Sequence, residues 1–417
     1  LPLFSVVVAT FDRGAHILPT LYSALEQSFR DFEIIVVGDG CTDGTLDAVR
    51  AIGSPRISVY ALATNSGSQS APHNAGIARS HGRYIAYLGH DDVWHPDHLS
   101  EIAAVFARSA PDVVASGCVY HGPRNSGIYF ATGLLDDEHT AADHFLPPSA
   151  LAHRRDLVDR IGPWPNPETV SAPVDCEIML RAARAGARFA ATGKVTVHKF
   201  AAGHRYLSYL RPSSTEQAET LSALRSFAPA CTWDALVEAA RRQGRYMVMK
   251  HSDYETLPKG HIHRQSRSNK GLRRRPLRPL TGNAVLAQTA EPRGLDWHQL
   301  EHSFQRFKWS GPSLNPRVLI PFTSGRTARL ALDVIAGTPV ENVDAISFDR
   351  DGSTVPHVVA AATPYVTTLE LELPLSTDDY TILGITTPRM VRPSDRPYSI
   401  DTRLLGIALG DIRIEPA

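Results

Sequence analysis

The sequence predicts an α/β fold: a doubly wound, mainly parallel sheet, then a helical extension, then a C-terminal β-sandwich. Three observations predict it. Through the first hundred residues, short β-branched runs alternate with stretches of helical spacing. Between about 215 and 250, Ala218, Leu221, Leu224 and then Leu236, Ala239, Ala240 recur at helical intervals. After 296 the texture changes to short alternating stretches punctuated by Gly, Pro and Asp.

Each element follows from its residues. Phe4–Ala9 is a continuous apolar run, the mark of a strand covered on both faces, and Ile17, Leu18, Leu21 and Leu25 continue as a helix up to Phe29. Phe32–Val37 repeats the strand. Thr42 or Asp43 can cap the helix Leu46–Ile52, ahead of a strand at Ile57–Ala61, a helix at Ala71–Ser80, a strand at Tyr84–Leu88 and a helix at His98–Arg108 that starts near Asp97. Strand-helix alternation implies right-handed crossovers. Further on, Val113-Val114, Gly127–Phe130 and Lys194–Phe200 read as strands, and Val174–Ala185 as a helix stopped by Gly186. The sandwich strands are Val318–Pro321, Ala328–Val334, Ala345–Phe348, Thr367–Leu373, Tyr380–Ile385 and Leu404–Ile414. The resulting units are 1–210, a helical extension at 211–255, a linker at 256–295 and the sandwich at 296–417. A chain of 417 residues has room for a core in each large unit.

Composition excludes several classes. Lys+Arg and Asp+Glu both total 43, so bulk charge names no partner, and 43% hydrophobic residues is ordinary for a globular chain. No apolar run approaches the roughly 20 residues that span a bilayer, and no signal peptide is visible. Cys41, Cys118, Cys176 and Cys231 are widely spaced, which suits reduced thiols in a cytoplasm and argues against structural zinc. The linker carries Lys259, Arg264, Arg267, Lys270, Arg273, Arg274, Arg275 and Arg278 with no acidic residue between Thr256 and Ala290. Without interleaved aromatics it does not suit nucleic acid, whereas anionic headgroups would gain about 1 kcal/mol per cation.

Chemistry concentrates where strands end. Asp12 follows the first strand, Asp39 the second and Asp91-Asp92 the fourth, and open α/β sheets bind ligands at that edge. Thr10–Gly14 lacks the dinucleotide glycine pattern and no P-loop is present. An adjacent Asp pair suits a divalent cation shared with substrate phosphates, so the ligand expected is a nucleotide diphosphate. Asp12 beside Arg13 also reads as a turn ion pair, and Asp43 as a helix cap.

Six stretches in register resemble the GT-A-fold glycosyltransferases of family 2: Phe4–Arg13, Gln27–Val37, Asp39–Gly44, Asn65–Gly67, His73–Ile77 and Gly82–Asp92. The resemblance covers about residues 3–210 and implies transfer of a sugar from a nucleotide-sugar donor. It implies that Thr10, Phe11 and Asp12 line the base pocket, that Asp39 accepts the uracil imide N–H, and that Asp91 and Asp92 hold the ribose and an Mn²⁺ or Mg²⁺ on the diphosphate. Arg13, Asn65, Gly67, His73 and Asn74 complete the donor site by their places in those motifs. His198 and His204 follow the last strand, where family members place a histidine on the metal. The base that deprotonates the acceptor hydroxyl falls at Asp175, with Glu177 the competitor. Three positions depart from the family: Gly89 where an Asp usually opens the acidic motif, His73 where an Arg is usual, and Val174 before Asp175.

The C-terminal stretch is similar to the accessory sandwich of some bacterial cell-surface glycosyltransferases, through Phe307–Gly311 and Asp401–Leu409. Trp297 and Trp309 could stack on sugars, although Trp309 is expected in the core. The expectation is therefore an inverting, metal-dependent transferase using a UDP-sugar and a glycan or lipid-linked acceptor. It would be cytoplasmic, with the basic linker at the inner face of the membrane. A catalytically decayed carbohydrate-binding or scaffold protein is the alternative.

Overall fold

The computed structural model describes residues 1–122, 129–134, 146–200, 205, 208–209, 212–226, 231–242, 246, 251–269, 282–288, 294–295, 297–303, 305–310, 316–320, 327–350, 353–375, 381–391, 393, 399 and 405–416. The first sheet contains β1 (Phe4–Thr10), β2 (Phe32–Asp39), β3 (Ile57–Leu62), β4 (Tyr84–Tyr87), β5 (Val93–Trp94), β6 (Val113–His121), β7 (Tyr129–Thr132), β8 (Leu151–Arg154) and β9 (Phe189–Phe200). Their order is β3-β2-β1-β4-β8-β6-β9-β5, with β7 beside β6. β1 runs parallel to β2 and β4, and β2 to β3. β8 is antiparallel to β4 and β6, and β5 to β9. Among the described residues the α-helices are α1 (Leu18–Leu25), α2 (Thr45–Ala51), α3 (Ser70–Ile77), α4 (His98–Ser109), α5 (Leu157–Ile161), α6 (Val174–Arg184), α7 (Thr215–Ser226), α8 (Cys231–Arg242), α9 (His261–Asn269) and α10 (Val340–Asp344).

Alternation along β1 explains why its whole run is apolar. Val6 and Val8 join Ile34, Val36 and Trp94 on one face, while Val7 joins Ile85, Tyr87, Trp164, Val174 and Ile178 on the other. Each buried valine contributes about 1.5–3 kcal/mol. A Cβ at Gly76 would collide with Val7, so that glycine sets how closely α3 packs on β1. β5 and β8 were not expected: β5 has only two residues, and Leu151-Ala-His-Arg154 lacks the continuous apolar run that marks β4, which is equally short.

The C-terminal region is a sandwich as expected. One antiparallel sheet includes Thr327–Ile335, Val366–Pro374 and Ala408–Pro416, and the other Arg317–Ile320, Ser347–Arg350 and Thr381–Thr386. Leu330, Leu369 and Ile412 from the first share one core with Ile320, Phe348 and Leu383 from the second. Trp297 is buried, its Nε1 donating to Arg317 O at 2.9 Å. Trp309, expected in the core, is only partly buried beside Phe307.

The basic stretch begins as structure, not as a free linker. Tyr254 and Leu257 bury against Ala172 and Cys176, and Gly260 N donates to Val170 O at 2.8 Å. In α9, Arg264 pairs with Glu168 at 2.6 Å, so part of the charge is spent internally. Residues 270–281 lie outside the described residues. Among the described residues, no helix is long and apolar enough to cross a membrane.

Candidate active site

The carboxyl ends of β1 and β2 are tied together by short polar bonds. Asp12 takes a left-handed backbone (φ 39°), and its carboxylate accepts from Thr42 N at 2.8 Å and Thr42 Oγ1 at 3.2 Å. Asp43 accepts from Gly14 N at 2.8 Å and from Thr45 N at 3.0 Å; the cap of α2 is Gly44, so Asp43 sits one residue before it and ties the loop after β1 to the helix start. Arg13 is buried, donating from Nη1 to Ser208 O at 2.9 Å beneath the Tyr209 ring, which also faces Phe11 at 6.0 Å. The Thr10 hydroxyl is buried without a partner among the described residues.

Asp39 ends β2 and gathers the loop that follows β3. It accepts from Ser66 N at 3.0 Å, Ser66 Oγ at 2.9 Å and Asn65 Nδ2 at 3.1 Å. Burial raises its carboxyl above the usual range, against the pull of Ser66, Gly67 and Arg267. Gly67 has φ 77°, and a side chain there would collide with the Arg267 guanidinium. Thus α9 brings a cation to the pocket expected to hold the base.

Two residues expected at the donor site have partners in the core. His73 is 2% exposed, wedged between the rings of Tyr87 at 4.8 Å and Trp164 at 4.7 Å, and burial lowers its pKa to about 3. A neutral core imidazole cannot serve a diphosphate as the usual Arg would. Asn74 clamps the backbone of Trp164, accepting from its N at 2.8 Å and donating to its O at 3.0 Å.

The acidic pair is also arranged differently. Asp92 is fully buried, and its Oδ2 accepts from Ser149 Oγ at 2.5 Å and from Lys199 Nζ at 2.9 Å. Its Oδ1 has no partner among the described residues but no accessible surface either. A divalent ion needs open carboxylate oxygens, so Asp92 does not fit as a metal ligand. Asp91, half-buried beside it, does not make a two-carboxylate site alone. His198 is buried, with Nδ1 3.0 Å from His121 Nε2, and burial holds its pKa well below the ordinary value. His204 lies outside the described residues. Among the described residues, Asp12, Cys41 and Asp43 bring ligand-type atoms together, but both carboxylates there already tie loops.

Asp175 occupies the first turn of α6 and is 7% exposed. Burial raises its pKa to about 6, while the Cys176 N–H at 3.1 Å and the Gln69 side chain stabilise the charged form. A carboxylate with that pKa is suited to take a proton near neutral pH. Glu177 is committed elsewhere: it bonds His251 at 3.1 Å and Arg181 at 3.2 Å, which hold its pKa low.

Lys199, Ser149, Gln69 and Tyr209 carry no role in the sequence analysis, and Arg267 figures there only as linker charge. Lys199 carried a signal, a charge inside an apolar strand beside Val195, Val197 and Phe200. The others sit in stretches with no readable period.

Among curated proteins, TuaG of Bacillus subtilis (strain 168), named for teichuronic acid biosynthesis, is 38% identical over 102 residues, or 24% of this chain and 40% of that protein. Poly(ribitol-phosphate) beta-N-acetylglucosaminyltransferase TarS of Staphylococcus aureus is 32% identical over 114 residues, or 27% of this chain and 20% of its own length. The chain thus spans less than half the length of these relatives. S. aureus TarS 1–349 in complex with UDP-GlcNAc superposes with a TM-score of 0.39 at 19% identity, over 64% of this chain and 88% of that one. Mannosyltransferase PcManGT from Pyrobaculum calidifontis, in complex with GDP-Man and Mn²⁺, gives 0.38 at 18% identity, over 59% and 81%. Residues 5–155 match the model of Glycosyl transferase family 2, and this chain carries a family 2 glycosyltransferase domain.

Proposed function

We propose that the chain transfers a sugar, with inversion, from a UDP-sugar to a hydroxyl of a glycan or lipid-linked acceptor in surface-polysaccharide synthesis. The observation that carries the reading is Asp175, a buried carboxylate with its pKa raised to about 6, at the start of a helix that packs through Val174 and Ile178 on Val7, Ile85 and Tyr87 of the first sheet, in which Asp39 ends β2 and Asp91 lies in the turn after β4. The relatives named for teichuronic acid and poly(ribitol-phosphate) glycosylation support the acceptor class.

In this reading Thr10, Phe11 and Asp12 border the base, and Asp39 accepts its imide N–H, since an ionised carboxylate only accepts. Asn65 and Ser66 hold that carboxylate in place. Asp175 takes the acceptor hydroxyl's proton as the acceptor oxygen bonds to the anomeric carbon. The bond from that carbon to the diphosphate oxygen breaks on the opposite face, and its electron pair leaves with the diphosphate. An α-linked donor gives a β-linked product. Neither Mn²⁺ nor Mg²⁺ enters a step, because Asp92 is already paired.

The test is nucleotide release from a panel of UDP- and GDP-sugars. UDP-sugars should be turned over, and Asp175→Asn should lower turnover by roughly 10²–10⁴-fold while UDP still binds. Near-normal turnover in Asp175→Asn with collapse in Glu177→Gln would move the base two positions. A wild-type chain that binds donors yet releases nothing would favour the decayed carbohydrate-binding reading.

A further inference from the structure

Lys199 lies in β9 with its Nζ 2.9 Å from Asp92 Oδ2. Burial works against its ammonium, but Asp92 and Asp91 outweigh that cost and raise its pKa above the ordinary value. Its charge also acts on Asp175. One ammonium therefore stands among the three carboxylates of the transfer site.

The surroundings are built for that pair. Ser149 Oγ donates to the same Asp92 oxygen and itself accepts from Gly89 N at 2.9 Å. A Cβ at Gly89 would lie 2.7 Å from Asp92 Oδ2 and 3.3 Å from Ser149 Oγ. The missing aspartate at position 89 and the inward turn of Asp92 are thus one arrangement: without a side chain at 89, the carboxylate can reach Lys199. Asp92 Oδ1 and the Tyr120 hydroxyl, both buried, have no hydrogen-bond partner among the described residues, so the site retains polar capacity next to the ammonium.

We propose that Lys199 is the resident cation of the transfer site. It offsets the negative charge that gathers on the donor diphosphate as the bond to the anomeric carbon breaks, in place of a divalent ion on Asp92. Lys199 keeps its proton and contributes charge alone. A preorganised cation aimed at developing charge is an effective stabiliser in a site shielded from water. The proposal rests on the donor-site reading above, and its consequence is that donor binding does not require a divalent metal.

The experiment is calorimetric titration of UDP into the full chain, once with EDTA and once with Mn²⁺. The expected result is affinities equal within about twofold, with Lys199→Met binding UDP at least about tenfold more weakly, the loss typical of a charged hydrogen bond. Because that variant leaves Asp92 buried without its cation and could misfold, Lys199→Met/Asp92→Asn is measured beside it. Both charges are then gone, no buried ion is unpaired, and UDP binding should remain weak. Recovery of wild-type affinity in the paired variant would show that Lys199 only balances Asp92, and overturn the proposal. So would a wild-type chain whose UDP affinity rises more than about tenfold with Mn²⁺, although the donor-site reading would then stand. Absence of UDP binding in both conditions would remove that reading and this proposal together.

Discussion

Replacing Asp175 by Asn should make the protein more stable while nearly abolishing transfer. Its carboxyl pKa rises from 3.8 to about 6 on folding because burial penalises the charge. Between those values the folded chain holds a proton that the unfolded chain has lost, so stability falls as pH rises through that window. At about 1.36 kcal/mol per unit, the cost above pH 6 reaches roughly 3 kcal/mol. An asparagine keeps an oxygen for the Cys176 N–H and a partner for Gln69 but cannot ionise. Calorimetric unfolding at pH 8 should therefore show Asp175→Asn melting higher by roughly 6–12 °C for a unit of this size. Below pH 3.8 the two proteins should converge, since the carboxyl is then protonated in the folded and the unfolded chain alike. In the wild type, turnover should climb with pH through about 6 and level off. A variant no more stable than wild type at pH 8 would show that the carboxylate carries no burial penalty, and with it the reason for a raised base would go.

Three other outcomes follow from named contacts. Asn74→Ala removes both bonds to the Trp164 backbone, so it should cost about 2 kcal/mol in chemical denaturation and leave UDP affinity within about twofold; a selective loss of UDP binding would return Asn74 to the donor site. Gly89→Asp, which restores the usual family residue, crowds Asp92 Oδ2 and should destabilise by about 1–3 kcal/mol in thermal unfolding, whereas an unchanged melting temperature would show that Asp92 has room to swing away. Removing residues 291–417 should preserve UDP binding, because Asp39 in β2, Asp91 in the turn between β4 and β5 and Asp175 in α6 all belong to the first unit; a folded truncated chain unable to bind UDP would tie the sandwich to the donor site.

The parallel half of the sheet was legible because its strands are long enough to show their period and are covered on both faces, as Val6, Val7 and Val8 show. The short strands β5 and β8 left no such trace, and the antiparallel insertion of β8 between β4 and β6 depends on contacts remote in sequence. In the site, strand-end acids could be located from pattern, but not which way they turn. Asp175 is positioned by the Cys176 N–H next to it, and Asp39 by Asn65 and Ser66, 26 and 27 positions later. Asp92 is decided by Lys199, 107 positions later, and by Ser149, 57 positions later. His73 shows the same limit: only the Tyr87 and Trp164 rings around it make it a core residue. The basic stretch read as a linker because composition does not reveal that Tyr254 and Leu257 anchor its start.

The claim most directly exposed is that the first sheet edge holds a uridine diphosphate donor through Asp39. Calorimetric titration of UDP into wild type and Asp39→Ala tests it, with circular dichroism confirming that both are folded. One-to-one binding by the wild type, weakened roughly 10–100-fold in the variant, is the predicted result, matching the loss of a hydrogen bond to a charged group. Equal affinity in the two proteins, or no binding of UDP by the wild type, would contradict it.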